Sequence, residues 1–274
     1  MINLKTTLFL AILMGIFLFI GSFFGEGGVT IAFILAGIMN LFSYFYSDKI
    51  VLSMYRARIV SAEEEPFLHE IVEKLSKSAK IPKPKIAVVD TAVPNAFATG
   101  RSPKHGVVAV TSGIISMLTK DELEGVIAHE ISHIKHRDTL INTISATIAG
   151  AITYLGYMLR FAAMSRTNRK NKGGALLLSI FVPISATIIR LAISRNAEYK
   201  ADERGAKISG KPKALASALL KIESSVKFNP LRGNSYTSHL FIINPFKAEN
   251  ILSLFSTHPL TSERVKKLNE LTSF

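Results

Sequence analysis

Residues 4–24 form a 21-residue stretch whose only charge is Lys5, and residues 29–46 carry no charge at all. As a helix the first run reaches about 31 Å, roughly the thickness of a bilayer's hydrocarbon core. The Gly25-Glu26-Gly27-Gly28 link between the runs is short enough to force an antiparallel transmembrane hairpin. A cleaved signal peptide fits poorly: the run is too long, no small-x-small site follows it, and a second span comes at once. The rest of the composition agrees with a membrane chain. Hydrophobic residues make up 48% and charged residues 19%, below the roughly 25% charged of an average soluble domain.

Lys5 precedes the first span, Glu26 alone lies between the spans, and Lys49, Arg56 and Arg58 follow the second. By the positive-inside rule both ends of the hairpin face the cytoplasm, giving a multi-pass protein of the cell membrane. The net charge of +13, from 33 Lys and Arg against 20 Asp and Glu, then reads as cytoplasmic flanks against anionic lipid. The aromatics lie in the apolar runs rather than among Lys and Arg, so no nucleic-acid partner is expected.

Two further apolar runs, residues 140–159 and 174–189, are long enough to span, but the loop between them carries Arg160, Arg166, Arg169, Lys170 and Lys172. Either this pair crosses against the charge bias, or it dips into the bilayer from the cytoplasmic side. The chain thus divides into a transmembrane hairpin (1–46), a first cytosolic part (47–138), a second hydrophobic hairpin (139–193) and a cytosolic C-terminal part (194–274).

In the first cytosolic part, Ser61 and Glu64 have capping-box spacing, and Phe67, Leu68, Ile71, Val72 and Leu75 recur at helical intervals. Residues 85–90 and 106–111, rich in Val and Ile, predict a small antiparallel sheet together with the 93–99 stretch between them. His69 and His105 stand alone and read as solvated.

His129-Glu130-Ile131-Ser132-His133 is the informative run. Thr119 and Glu122 form a second capping box ahead of it, and Leu123, Val126, Ile127, Ile131 and Ile134 make one apolar face, so the segment is a helix. His129 and His133 then lie one turn apart and can close on one metal ion, while Glu130 can reach water held there without ligating. The chain has no cysteine, so any metal must be held by His, Asp or Glu. The metzincin pattern would need Gly at position 136 and His at 139, where the chain has His136 and Thr139. A Glu from a later helix is the alternative third ligand, and Glu198 in Ser194-Arg195-Asn196-Ala197-Glu198-Tyr199-Lys200-Ala201-Asp202 supplies it. Asp202, one turn on, is placed to accept the free ring N–H of one histidine. His136 reads as a surface residue. The predicted class is mainly α with a small antiparallel β-sheet: an integral membrane protein with a gluzincin-like zinc metallopeptidase core and one Zn2+ per chain.

From here the chain resembles HtpX, the membrane-embedded zinc metalloprotease related to the CAAX prenyl protease. The matching stretches are residues 94–100 (PNAFATG), 129–138 (HEISHIKHRD), 194–202 (SRNAEYKAD), 238–245 (SHLFIINP) and Thr257-His258-Pro259-Leu260 followed by Arg264. The resemblance implies an endopeptidase that cuts misfolded or damaged membrane proteins on the cytoplasmic side, with His129, His133 and Glu198 holding zinc and Glu130 as general base. By the same analogy His258 donates to the oxyanion, although a turn that caps the helix after Leu260 would serve His258 equally well. Arg264 pairs with Asp202 or another acid, or touches substrate. The stretch Asn95, Ala96, Phe97 to Thr99 has no titratable group; as an edge strand beside the zinc helix it can pair with substrate backbone, with Asn95 positioning it. Residues 229–250 read as a long loop whose 238–245 part covers the cleft, with His239 structural. Two other classes stay open: a non-catalytic zinc-binding scaffold, indifferent to loss of Glu130, and a basic membrane-surface adaptor acting through residues 160–172.

Overall fold

Apolar runs of this length must satisfy their own backbone in lipid, and helices do so. In the computed structural model, which describes residues 4–22, 25–142, 144, 195–228, 242–243 and 259–271, the chain forms two compact units. One comprises Met1–Ser43 and Ile141–Ala192, the other Tyr44–Leu140 and Ile193–Phe274.

The first unit holds α1 (Leu4–Ser22) and nearly all of α2 (Gly25–Phe45). The four residues expected as the link instead open α2. Glu26 lies in its first turn, where a carboxylate complements the positive end of the helix dipole. The helices approach closely where side chains are smallest: a Cβ on Gly21 would fall 2.6 Å from Ala32 Cβ and 2.7 Å from the Gly28 carbonyl oxygen. Asn40 Nδ2 donates to the Leu10 carbonyl over 3.2 Å, tying the pair together. Leu8, Ile12, Phe19, Ile31, Phe33 and Leu41 are exposed, a surface suited to lipid rather than water. Among the described residues α2 alone is long and apolar enough to cross a membrane, while the apolar stretch of α1, Thr6–Phe19, is shorter. Of the second apolar pair, nearly all lies outside the described residues, as does the 160–172 loop.

The second unit begins with α3 (Ser47–Met54), β1 (Arg58–Ile59) and α4 (Pro66–Ala79). Ser61 and Glu64 exchange the expected capping bonds, 2.8 Å and 3.4 Å, but the helix starts only at Pro66. Proline disfavours α geometry in the residue before it, and Glu65 lies outside the helical region (φ −133°, ψ 63°). Pro66 itself has no N–H to leave unpaired, which suits a first helical position. His69, expected to be solvated, has Nε2 3.1 Å from the Val60 carbonyl, and exposed His105 contacts Arg101 and Ser102.

Next come β2 (Lys85–Val89), β3 (Ala96–Thr99), β4 (Val107–Thr111), α5 (Ser112–Met117) and α6 (Lys120–His136). The sheet is mixed, not antiparallel as expected. Its order is β1-β2-β4-β3, with β2 parallel to β4 and the other two pairs antiparallel. The chain passes β4's place, makes β3, and returns to insert β4 between β2 and β3. Short runs rich in Val and Ile identify such strands but are indifferent to their direction.

Alternation also divides the sheet into two faces. Ile86, Ala96, Ala98, Val108 and Val110 face a core shared with Leu68, Ile71, Val72 and Leu75 of α4 and with the five apolar residues predicted for α6. Ala87, Val89, Phe97, Val107 and Ala109 form a second layer with Val51 of α3. Three helices complete the unit: α7 (Arg195–Ser209), α8 (Pro212–Phe228) and α9 (Thr261–Glu270). α6 lies at the centre, against the sheet, α4, α7 and α8.

The predicted capping box at the start of α6 is present, with Thr119 and Glu122 satisfying each other's backbone N–H groups. Glu122 also accepts from Ser217 Oγ and Lys221 Nζ, both at 2.7 Å, and so fastens α6 to α8. Burial opposes its charge, yet these donors and Thr119 push its pKa down to about 2 from an ordinary 4.5. A carboxyl depressed in the folded state contributes stability above pH 4.5 and loses it as the pH falls towards 2. We expect Glu122→Gln to lower the thermal midpoint at pH 7 and to unfold with a shallower pH dependence between 5 and 3 than the wild type, by about 1–3 kcal/mol in total. Parallel pH dependences in a detergent melt would contradict this.

Candidate metal centre

With 3.6 residues per turn, the register of α6 alone brings His129 over His133. Their Nε2 atoms lie 3.1 Å apart. α7 crosses this face and delivers Glu198, whose two carboxylate oxygens stand 3.7 Å from His129 Nε2 and 3.6 Å from His133 Nε2. The three are buried and offer ligand atoms all within 4.8 Å of one another. Ligands about 2.0–2.2 Å from a tetrahedral zinc are separated by about 3.3–3.6 Å, so this donor set fits zinc with one position left open. Two imidazoles and a carboxylate suit zinc better than a hard cation.

The close approach of α7 to α6 has a local cause. Glu198, Asp202 and Gly205 lie at i, i+4 and i+7 on one face of α7. A Cβ on Gly205 would fall 2.8 Å from the backbone nitrogen of His129 and 2.9 Å from its Cα. Only a residue without a side chain lets the backbones meet there. Gly125, one turn before His129, meets Leu215 of α8 in the same way, a Cβ there lying 3.0 Å from its nitrogen.

Asp202 is 3% exposed, and its Oδ1 lies 2.9 Å from His129 Nδ1, in a contact too bent for a straight hydrogen bond. Arg264 on α9 closes the group from behind. It is 1% exposed, donates two bonds of 2.7 Å to Asp202, and places Nη2 3.9 Å from Glu198. Of the expected roles for Arg264, the structure presents the ion pair. Burial works against charge on Asp202, but Arg264 and His129 hold its carboxyl below the usual carboxylate range. A third bond of 3.0 Å runs from Arg264 Nη1 to the Ile242 carbonyl.

Glu130 is 5% exposed, and its side chain meets an Ala98 backbone hydrogen bond from β3. Burial pushes its carboxyl up, against the pull of His129, His133 and that bond. His133 is raised as well, against its burial. A hydrogen bond with Asp138 and the nearby Glu198 and Glu130 bring it to about 9. The carboxylates together thus favour positive charge beside His133, as a cation site requires.

Asp138, which the sequence motifs do not single out, lies with Oδ2 3.3 Å from His133 Nδ1. A five-residue offset does not return to the same helical face, so periodicity gives no sign of it. His136 is half-buried.

β3 is the terminal strand of the sheet, packed against α6, with all four residues buried. Asn95 precedes it. Its backbone pairs with Thr111 through bonds of 2.9 Å and 3.0 Å, while its Oδ1 accepts from the Ile242 N–H over 3.1 Å. Ala96 and Phe97 point to opposite faces of the sheet, into the two apolar layers. His258 lies outside the described residues, as do His239 and most of the 229–250 segment.

The profile of peptidase family M48 matches residues 62–272, which include every group of this centre. The chain belongs to peptidase family M48. Its sequence is 57% identical over 274 residues to a protein named Protease HtpX homolog from Pyrococcus furiosus, covering 97% of this chain and 95% of the relative. Homologues of the same name from Pyrococcus abyssi and Aquifex aeolicus are 55% and 53% identical. The crystal structure of S. mikatae Ste24p shares the M48 fold at 18% identity and a TM-score of 0.55; the match covers 94% of this chain and 62% of that longer one. The resemblance to HtpX read from the motifs is therefore upheld. Membership of M48 makes a metal-dependent peptidase the frame in which the His-His-Glu group is to be understood.

Proposed function

We propose that this M48 peptidase is a membrane-embedded, zinc-dependent endopeptidase that hydrolyses peptide bonds of misfolded or damaged membrane proteins at the cytoplasmic face. The observation that carries the reading is the buried His129–His133–Glu198 triangle with Glu130 beside it. Zinc bound by those three residues supplies Lewis acidity, polarising the scissile carbonyl and making water easier to deprotonate. Glu130 takes the proton from the attacking water and returns it to the leaving amine. Burial suits it to both roles, since raising the pKa of a carboxyl towards neutrality makes it a stronger base that can still give the proton up. His258 donates a further hydrogen bond to the developing oxyanion.

Substrate reaches the centre as an extended strand along Ala96–Thr99, with Asn95 and Phe97 at its start. Strand addition reads backbone rather than side chains, which suits a protease acting on many unfolded sequences. The position of β3 at the sheet's end, in touch with Glu130 through Ala98, supports this course. The α1–α2 hairpin and its exposed apolar surface support residence in the bilayer and substrates drawn from it.

The test is cleavage of an unfolded protein by the full chain in detergent, before chelation, after it, and with zinc returned. Chelation is expected to remove cleavage to background and zinc to restore it. Cleavage that survives complete removal of metal would overturn the proposal; a chain that binds zinc but cleaves nothing would favour the scaffold reading instead.

A further inference from the structure

The two candidate histidine ligands are arranged alike. Each turns Nε2 towards the other and towards Glu198, and each turns Nδ1 towards a carboxylate. For His129 that carboxylate is Asp202, on α7; for His133 it is Asp138, two residues past the end of its own helix.

Asp138 arrives there by an interruption of the backbone. α6 ends at His136, and Arg137 takes a left-handed conformation, φ 61° and ψ 25°. Had the helix run on, residue 138 would stand about 140° round the axis from His133 and face elsewhere. The left-handed step folds it back, and helical backbone resumes from Asp138 to Asn142. Left-handed residues end many helices, but most are glycine, because a side chain is strained there. Here an arginine accepts that strain, and the residue it redirects lies 3.3 Å from a metal-site imidazole.

The two carboxylates differ in charge balance. Asp202 is buried and held by both arms of Arg264. Asp138 has a side chain 19% exposed, and its hydrogen bond and ion pair among the described contacts are both with His133.

We infer, on the metal-centre reading proposed above, that Asp138 is the positioning residue for His133. It accepts the Nδ1 proton, which fixes the tautomer with the Nε2 lone pair free and aimed at the metal, and its negative charge makes that nitrogen a stronger donor. The bland alternative is that Asp138 merely caps the helical stretch that begins with it.

The two roles separate by substitution. Serine caps a helix N-terminus as well as aspartate does, but its hydroxyl is too short to reach the imidazole and carries no charge. Asparagine keeps the size and one acceptor oxygen and loses the charge. Zinc affinity of the full chain in detergent is measured by competition with a chromophoric chelator, with far-UV circular dichroism as the check on folding. Asp138→Ser is expected to weaken zinc binding about tenfold to a hundredfold, and Asp138→Asn by a smaller factor, both with unchanged helical signal. Either folded variant binding zinc as tightly as the wild type would overturn the inference, and should the serine variant fail to fold, the asparagine variant decides. A wild type that binds no zinc would instead remove the metal-centre reading itself, and this role for Asp138 with it.

Discussion

Glu130→Gln is expected to lower kcat for hydrolysis of an unfolded protein by about 10²–10⁴-fold, the usual range for loss of a positioned general base. Zinc content should be unchanged. Glutamine has the same shape as glutamate and can still accept the Ala98 backbone hydrogen bond, so α6 and β3 keep their contact. It cannot take up a proton from water, nor return one to the leaving amine. Because proton transfer belongs to the transition state and not to substrate binding, KM should move far less than kcat. Wild type and variant purified in parallel, each with its zinc measured, make the comparison clean. Equal cleavage by both would mean that Glu130 is not the base, or that the cleavage came from another protease.

The second large effect concerns stability. Arg264→Met is expected to destabilise the chain by about 3–5 kcal/mol, the range for removing one partner from a buried ion pair. Arg264 sits at 1% exposure and neutralises Asp202 at 3% exposure, with Glu198 and Glu130 also buried close by. Burial works against the guanidinium charge, and these three carboxylates more than offset it, raising its pKa. Without it, Asp202 must either hold a buried charge stripped of its guanidinium partner or take up a proton, each at a cost, and the Ile242 carbonyl loses its donor. The double variant Arg264→Met with Asp202→Asn should recover much of the loss, since no unpaired charge stays in the interior. Chemical unfolding in detergent at pH 7, with zinc chelated in all samples, measures both. A single variant within 1 kcal/mol of the wild type, or a double variant no better than the single one, would mean that the Arg264–Asp202 pair does not hold the centre together (~1 kcal/mol being the worth of an exposed pair).

Much of the centre is legible in the sequence because it is local. Thr119 and Glu122 announce where α6 begins, the five apolar residues announce its face, and the helical repeat then aligns His129 with His133. The same reasoning misplaces the start of α4, where the Ser61–Glu64 box closes over a turn and Pro66 begins the helix. It also makes the sheet antiparallel. Runs of Val and Ile are required of β2 and β4 whichever way they run, and the parallel β2–β4 pair is set by where the chain places β3. Asp138 escapes because its approach depends on one left-handed residue, a departure from the helical repeat that makes the rest of α6 readable.

That apolar helices precede a helix carrying two imidazoles and a carboxylate on a defined register can be read along the chain, since those features follow from side-chain hydrophobicity and from hydrogen bonds between residues four apart. Which acid meets which histidine is a matter of how the helices pack. Glu198 and Asp202 lie more than sixty residues from His129 in the chain, and they reach it because Gly205 lets two backbones touch and Arg264 stabilises the charge brought in. Contacts of that range depend on how whole helices pack, and packing is settled by shape and charge in three dimensions, not by any interval along the chain.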